Sequence, residues 1–198
     1  MSSRTGKVVT GEGLLNELKE TVLAKMGERS FDSAQDKDII ADQVAVGALK
    51  YTVLKQAIGG DIVYEPEKIT AMDGDTGPYL QYTFARTQSL LRKANNQSPI
   101  NNNQANWNLK FDDWVLNTEE LSILRWIYRY PEVVVSAGKE YAPHLIATYL
   151  YELAQRFNTF YNQHQVIGNE TRLLLTTATG KILQSGLELL GIQAPREM

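Results

Sequence analysis

With 198 residues, 43% of them hydrophobic and 22% charged, the chain is long enough for one compact domain or two small ones, and its composition argues against disorder. It has no cysteine and only two histidines, His144 and His164, which excludes disulfides and thiolate zinc sites and leaves few ligands for other metals. The net charge of −3 argues mildly against nucleic acid, yet it allows a protein that reads a few unstacked bases with aromatic and apolar side chains.

The first seventy residues predict two helices. Apolar residues recur at helical spacing over residues 14–26 and again over residues 36–60, where the pair Gly59-Gly60 is expected to end the second helix. Residues 61–64 are the only stretch with any strand character. Pro66 argues against a long helix directly after them.

A third helix is predicted to begin at Pro78, because a proline in the first turn of a helix has no hydrogen bond to lose. We expect this helix to end near Lys93. Beyond it, residues 95–108 are rich in asparagine and are typical of a linker.

A fourth helix is predicted after the linker. Asn117 or Thr118 can cap it, and glutamates occupy its first turn, where the helix dipole favours them. Pro131 is expected to stop this helix and to start a short one, because proline inside a helix removes a backbone donor and clashes with the preceding turn.

Two long helices are predicted in the last third of the chain. Residues 144–166 carry an apolar stripe at helical spacing, residues 167–169 break it, and a last helix spans about residues 170–190 before Gly191 closes it. The predicted fold is therefore all-α, a helical bundle preceded by a helical N-terminal extension.

Common catalytic motifs do not fit this sequence. Neither Gly6-Lys7 nor Gly180-Lys181 has the earlier glycine that a phosphate-binding P-loop requires. Gly11-Glu12-Gly13 lacks the third glycine of a dinucleotide-binding fingerprint, and two isolated histidines do not make a Ser/His/Asp triad. Taken alone, the chain does not look like a complete enzyme.

Residues 1–7, Met-Ser-Ser-Arg-Thr-Gly-Lys, resemble the mobile signature loop of class I aminoacyl-tRNA synthetases in its arginine-specific form. A lysine normally precedes the methionine in that loop, so the chain is expected to begin inside the motif. The resemblance implies that Ser2, Ser3, Arg4 and Lys7 act on the phosphates of ATP, where hydroxyls and cations stabilise developing charge. The seven residues on their own also fit an ordinary polar chain start.

Residues 74–82, Gly-Asp-Thr-Gly-Pro-Tyr-Leu-Gln-Tyr, resemble the loop and helix that join the body of arginyl-tRNA synthetases to their anticodon-binding domain. The resemblance implies that Tyr82 and Arg86 lie near RNA and that a loop of four residues relays anticodon occupancy: Gly74, Asp75, Thr76 and Gly77. Helical spacing predicts that Gln81, Arg86 and Arg92 face outward. Tyr82 also fits ordinary helix packing, and Arg86 also fits a structural ion pair.

The last 80 or so residues resemble the helical anticodon-binding domain named for a short Asp-Ala-Leu-Arg (DALR) pattern, although the corresponding stretch here reads Glu-Thr-Arg-Leu at residues 170–173. The resemblance implies that Tyr161, Asn162, Gln165 and Met198 contact the anticodon loop. A tyrosine ring offers a face on which a base stacks, and Gln165, four residues after Tyr161, offers hydrogen bonds on the same side of the helix. Without the resemblance, Tyr161 fits an aromatic core equally well.

The resemblance implies two parts: residues 1–72, a signature-loop remnant with a helical region that contacts the tRNA stem, and residues 73–198, the DALR-type domain. The family joins arginine to its tRNA with ATP and magnesium. Because the nucleotide-binding half has no counterpart in this chain, we expect it to bind no cofactor and to be inactive alone. The expected partner is arginine tRNA, with no DNA.

Two alternatives remain at this stage. Glycine- and cysteine-specific synthetases carry related helical domains, and a free-standing helical module that binds protein would suit the net charge of −3. No apolar run approaches the ~20 residues that span a bilayer, and no signal-peptide pattern precedes residue 30. We therefore expect a cytoplasmic monomer without a membrane partner.

Overall fold

The computed structural model describes residues 10–27, 34–97 and 115–198, and within them it contains seven helices and no β-strand. The prediction of an all-α fold is confirmed. None of the described helices is both long and apolar enough to cross a membrane. The helices are α1 (Gly11–Met26), α2 (Ala34–Leu54), α3 (Pro66–Ile69), α4 (Gly77–Gln97), α5 (Thr118–Glu140), α6 (Pro143–Gln163) and α7 (Glu170–Leu189).

The main core lies among α4, α5, α6 and α7. The helix α6 packs against α5, α7 and α4, and the residues that it buries are all hydrophobic. Burying a large apolar side chain stabilises a fold by roughly 1.5–3 kcal/mol, which makes this stripe the main source of stability. Its fully buried members are Leu150, Leu153, Phe157 and Phe160.

The helices α1, α2 and α3 pack onto this bundle through α2, which contacts both α4 and α6. Two small clusters hold them together: one joins Val22 and Met26 of α1 to Val44 of α2, and the other joins Leu18 of α1 to Ile69 of α3. The predicted boundary between residues 72 and 73 therefore lies between these small clusters and the start of α4, and it stays a prediction.

Side-chain caps explain why several helices begin where they do. The Thr10 hydroxyl accepts from the Gly13 N–H at 3.1 Å and starts α1. The predicted cap at Asn117 is confirmed as a capping box, in which Asn117 and Glu120 each accept from the other's backbone N–H, at 2.8 and 3.0 Å. Such a cap is worth about 1 kcal/mol.

Pro131 does not stop α5, so that prediction is wrong. The helix continues to Glu140 with the proline inside it. The turn before the proline is held by neighbouring helices: the Trp126 indole N–H donates to the Tyr149 carbonyl at 3.1 Å, and the Tyr130 hydroxyl donates to the Ser185 hydroxyl at 2.9 Å. Packing on α6 and α7 therefore outweighs the roughly 3 kcal/mol that an internal proline costs a helix.

Two predicted helix ends are also corrected. The helix α2 ends at Leu54, because Gly59 and Gly60 belong to a separate turn in which the Gly60 N–H donates to the Ala57 carbonyl at 2.9 Å. The helix α6 ends at Gln163, and Val166, which continues the apolar pattern, is buried by the chain after it leaves the helix.

Smaller differences concern the segments between helices. The helix α4 extends to Gln97, one turn beyond Lys93, so it includes the start of the asparagine-rich stretch; residues 98–108 of that stretch lie outside the described residues. Residues 61–64 form no strand.

Gln81 does not face outward, contrary to the helical-spacing prediction. Its side chain is fully buried, between α2 and the segment that follows α7. The prediction failed because it treated α4 as a surface helix with one apolar side, whereas α2 and the C-terminal segment cover a second side.

Candidate nucleic-acid interface

Four of the six residues predicted to contact RNA meet in one groove. Tyr82 and Arg86 come from α4, Tyr161 comes from α6, and Met198 is the last residue of the C-terminal segment. The groove encloses about 340 Å³ and lies between these three parts of the chain. Residues separated by more than 100 positions in the sequence thus line a single surface.

The Arg86 guanidinium lies between two tyrosine rings. Its central carbon is 4.8 Å from the centre of the Tyr82 ring and 4.7 Å from the centre of the Tyr161 ring. A cation over an aromatic face within about 6 Å is attracted by the electron density of the ring. Because α4 and α6 each supply one ring, the contact also fixes the width of the groove.

Asn158 is a residue of this site that the sequence-based reasoning missed. Its amide oxygen accepts a hydrogen bond from Arg86, and its amide nitrogen is 2.9 Å from both the Tyr79 and the Thr83 hydroxyl oxygens. It lies one helical turn before Tyr161 on α6, and this spacing is the signal that could have identified it.

Arg86 keeps its positive charge available. It donates to the Asn158 amide and to the Tyr82 hydroxyl at 3.3 Å, and neither of these partners is charged. These contacts orient the guanidinium plane without neutralising it. They differ from the structural ion pair that the sequence also allowed for this position.

The groove is locally basic although the whole chain carries a net charge of −3. Among the described residues, four cationic side chains line it beside one acidic side chain, Glu197, which pairs with one of them. An anionic ligand therefore meets a positive surface here. The four cations are Arg86, Arg92, Lys93 and Arg196.

Met198 is held in place by packing. It packs against the small cluster of α1 and α2 that contains Val22 and Met26. Ile192 and Pro195, earlier in the same segment, are buried. Met198 therefore lines the groove from a segment that is held at both ends.

Asn162 and Gln165 do not line this groove. Asn162 is exposed on α6. Gln165 lies beyond the end of α6, where His164 has already turned to an extended conformation (φ −131°, ψ 136°), so the same-side helical argument that linked it to Tyr161 does not apply. Its amide donates instead to the Ile167 carbonyl at 3.3 Å.

The loop Gly74–Gly77 is attached to α2. The Tyr51 hydroxyl donates to the Asp75 carboxylate at 2.6 Å, and the Lys55 ammonium lies 3.1 Å from the same group. Burial, and then the hydrogen bond to Asp75, raise the pKa of Tyr51 far above its usual value. Gly74 has φ +71°, a conformation that glycine adopts without strain.

The same loop starts α4. The Thr76 hydroxyl accepts from the Tyr79 N–H at 3.2 Å and donates to the Ala71 carbonyl at 2.6 Å. The four residues predicted to form a relay are thus connected on one side to α2 and on the other to the helix that carries Tyr82 and Arg86.

The predicted ATP-contacting residues Ser2, Ser3, Arg4 and Lys7 lie outside the described residues. Among residues 10–27, 34–97 and 115–198, no group of three His, Asp or Glu side chains is arranged to hold a metal ion.

The chain is similar to known proteins over its whole length. The family model of the DALR anticodon binding domain matches residues 80–198. An arginine–tRNA ligase of Thermococcus kodakarensis is 37% identical over the whole chain, and one of Fusobacterium nucleatum is 36% identical. The chain spans 32% and 35% of these two relatives, about a third of their length.

Solved structures show the same likeness. The Thermus thermophilus arginyl-tRNA synthetase matches 98% of this chain with a TM-score of 0.82 at 29% identity, and the match covers 33% of that protein. The Plasmodium falciparum arginyl-tRNA synthetase matches 96% of this chain with a TM-score of 0.80 at 27% identity, and the match covers 34% of that protein.

Proposed function

Because the chain belongs to the DALR anticodon binding domain family, we propose that it is the anticodon-recognising part of an arginine–tRNA ligase. The observation that carries the proposal is the groove in which Arg86 lies between Tyr82 and Tyr161. Its ligand is the anticodon arm of arginine tRNA, whose unstacked bases meet the aromatic rings and the Met198 thioether.

The residue types of the groove suit single-stranded RNA. A tyrosine ring stacks on a base without regard to its hydrogen-bonding edge, and each such contact is worth about 1–3 kcal/mol. The guanidinium of Arg86 and the cations around it attract the phosphate backbone. The groove therefore combines a stacking surface with a local positive charge.

The rest of the proposal concerns the whole protein. The arginine–tRNA ligase to which this chain belongs uses ATP and magnesium, and Ser2, Ser3, Arg4 and Lys7 contribute to the ATP-binding loop. The loop Gly74–Gly77 transmits the binding of RNA in the groove towards the ATP-binding loop. Its contacts with both α2 and α4 support this role. The enzyme acts in the cytoplasm as a monomer and does not bind DNA.

The first test is a low-salt titration of the chain with the anticodon arm of arginine tRNA and with an arm whose central anticodon base is changed. We expect tighter binding to the intact arm. Equal, weak binding to both arms would mean that the chain contacts only the RNA backbone. Undetectable binding to either arm would favour a protein-binding helical module.

Variants of Tyr161 identify the groove as the binding site. Tyr161→Phe keeps the ring and is expected to bind RNA as the wild type does, whereas Tyr161→Leu removes the ring and is expected to weaken binding roughly fivefold or more. Tyr128→Leu is the matched control, because Tyr128 is 87% exposed on α5 and outside the groove.

A further inference from the structure

The segment that supplies Arg196, Glu197 and Met198 to the groove is attached to the bundle by a buried amide. The Gln81 nitrogen donates to the Gln193 carbonyl at 2.7 Å and to the Gln43 carbonyl of α2 at 3.1 Å. Both of its N–H groups are used by these two bonds. One side chain of α4 thus holds α2 and the C-terminal segment together.

The orientation of this amide follows from chemistry. Both neighbours are carbonyl oxygens, which only accept hydrogen bonds, so the nitrogen must face them. The Gln81 side chain is 0% exposed, and among the described residues its oxygen accepts no hydrogen bond. An apolar side chain of the same length would avoid an unpaired buried acceptor. The two hydrogen bonds that the amide donates therefore explain why a glutamine stands at this buried position.

The Gln81 amide is closely packed against α2. A Cβ atom added to Gly47 of α2 would lie 2.6 Å from the Gln81 nitrogen, so α2 approaches this closely only because residue 47 is glycine. A second contact lies nearby, where the Lys50 ammonium donates to the Gly191 carbonyl. Both contacts bind backbone carbonyls at the start of the C-terminal segment.

A third polar attachment of the segment lies on the surface. The ion pair between Arg92 and Glu197 joins side chains that are 50% and 61% exposed, and such surface pairs contribute little. Successive residues of a helix point in different directions. On α4, Gln81 therefore faces the C-terminal segment, while the adjacent Tyr82 lines the groove.

We propose that Gln81 is a positioning residue for RNA binding: by holding the Gln193 carbonyl against α2, it sets the C-terminal segment so that Arg196 and Met198 form one wall of the groove. This inference rests on the proposed function. Gln81 itself does not touch the RNA.

The test uses Gln81→Met, which keeps the length and flexibility of the side chain and removes the amide. Gln184→Met is the matched control, because Gln184 is exposed on α7 and its amide donates to the Glu188 carboxylate one turn along the same helix. Hydrogen exchange over residues 191–198 and affinity for the anticodon arm of arginine tRNA are measured on both. We expect faster exchange and roughly fivefold weaker binding for Gln81→Met alone.

A double-variant cycle separates positioning from general damage. Removal of residues 196–198 is expected to weaken binding, and adding Gln81→Met to that truncation is expected to weaken it no further. Additive losses would overturn the inference, and so would unchanged affinity in the Gln81→Met chain. If Gln81→Met does not fold, Gln81→Leu, which also removes the two donated hydrogen bonds, takes its place in the cycle.

The two proposals fail in different ways. A wild-type chain that binds no RNA overturns the proposed function and this inference together. A wild-type chain that binds RNA and loses affinity with Tyr161→Leu, but not with Gln81→Met, overturns this inference alone.

Discussion

Arg86 performs a task that lysine cannot. Its planar guanidinium lies between the Tyr82 and Tyr161 rings, 4.8 and 4.7 Å from their centres, while an N–H in the same plane donates to Asn158. A lysine ammonium is a compact point charge that stacks poorly and has no fixed plane. The shape of the cation therefore matters as much as its charge.

We predict that Arg86→Lys weakens binding of the anticodon arm about tenfold although the charge is retained, because stacking on two rings is lost. Affinity is measured by titration, and folding is checked by circular dichroism. Arg125→Lys is the control, since Arg125 is exposed on α5 outside the groove. Equal affinity for Arg86→Lys and the wild type would show that only charge is used.

Sequence reasoning at this scale found the stacked residues and missed the residues that orient them. Tyr82, Arg86 and Tyr161 could be proposed because the resemblance to the synthetase family implied them, although their residue types alone also fit helix packing, an ion pair or the core. Asn158 and Gln81 could not, because an amide on a helix looks the same whether it faces solvent or a buried carbonyl. Which helices cover it is a property of the assembled fold.

At the scale of elements, α2 and α4 cross in close backbone contact near the site. A Cβ atom added to Gly77 would lie 2.5 Å from the Gly47 carbonyl oxygen, and that oxygen is backbone and cannot rotate away. The two helices meet here with no side chain between them. The start of α4, and with it the direction of the groove, depends on this contact.

We expect Gly77→Ala to lower the free energy of unfolding by about 1–3 kcal/mol, because overpacked sites must shift backbone. Gly138→Ala is the matched substitution in α5, where an added Cβ meets nothing within 4 Å. It is expected to stabilise by about 0.5–1 kcal/mol, since alanine is the better helix former. Urea denaturation of both variants checks the prediction, and equal effects would contradict it.

The helices themselves were largely predictable, and their ends were less so. Apolar spacing located α1, α6 and α7 because each has one stripe facing the core. Pro131 was misjudged because local rules do not include the contacts of α5 with α6 and α7. Gly59 was misjudged because a glycine suited to a helix end is equally suited to a separate turn.

At the scale of the molecule, the free energy of unfolding depends on three tyrosines staying protonated. Burial raises the pKa of Tyr149 far above its usual value; burial and then the hydrogen bond to Asp75 do the same for Tyr51; and burial followed by a bond to Glu17 raises the pKa of Tyr64 to about 12. The folded state therefore favours the protonated phenols. Their contribution is complete below pH 10, the unfolded pKa, and is lost as pH rises towards the folded values.

We predict that the free energy of unfolding falls above pH 10, by about 1.4 kcal/mol per pH unit for a tyrosine that remains protonated only in the folded state. Tyr51→Phe should be less stable than the wild type at pH 8, because Asp75 loses a donor, and the difference should shrink as pH rises to 11. Tyr128→Phe, at an 87% exposed position, should leave the pH profile unchanged. A constant difference for Tyr51→Phe would contradict the assignment.

The contrast between an acidic chain and a basic groove has a measurable consequence. Among the described residues, four cationic side chains and one acidic side chain line the groove, a side-chain excess of three positive charges. Each phosphate neutralised on single-stranded RNA adds about 0.7 to the salt slope, so the logarithm of affinity should fall with the logarithm of salt concentration with a slope near −2.

Lys93→Ala should make this slope shallower by about 0.7 and weaken binding equally for intact and altered anticodons, because phosphate contacts carry no sequence information. Lys181→Ala, on the exposed side of α7, serves as the control. A slope unaffected by Lys93→Ala would place the phosphates elsewhere on the molecule.

The helix α4 also limits how the chain length can vary. It begins at a cap fixed to α2, directs Gln81 towards the C-terminal segment and directs Tyr82 and Arg86 into the groove. Inserting or deleting one residue between Gly77 and Arg86 would turn everything beyond that point by about 100° around the helix axis. The number of residues between the loop and Arg86 is therefore fixed by the groove. Insertions and deletions should be absent from residues 77–86 in any relative that keeps this groove.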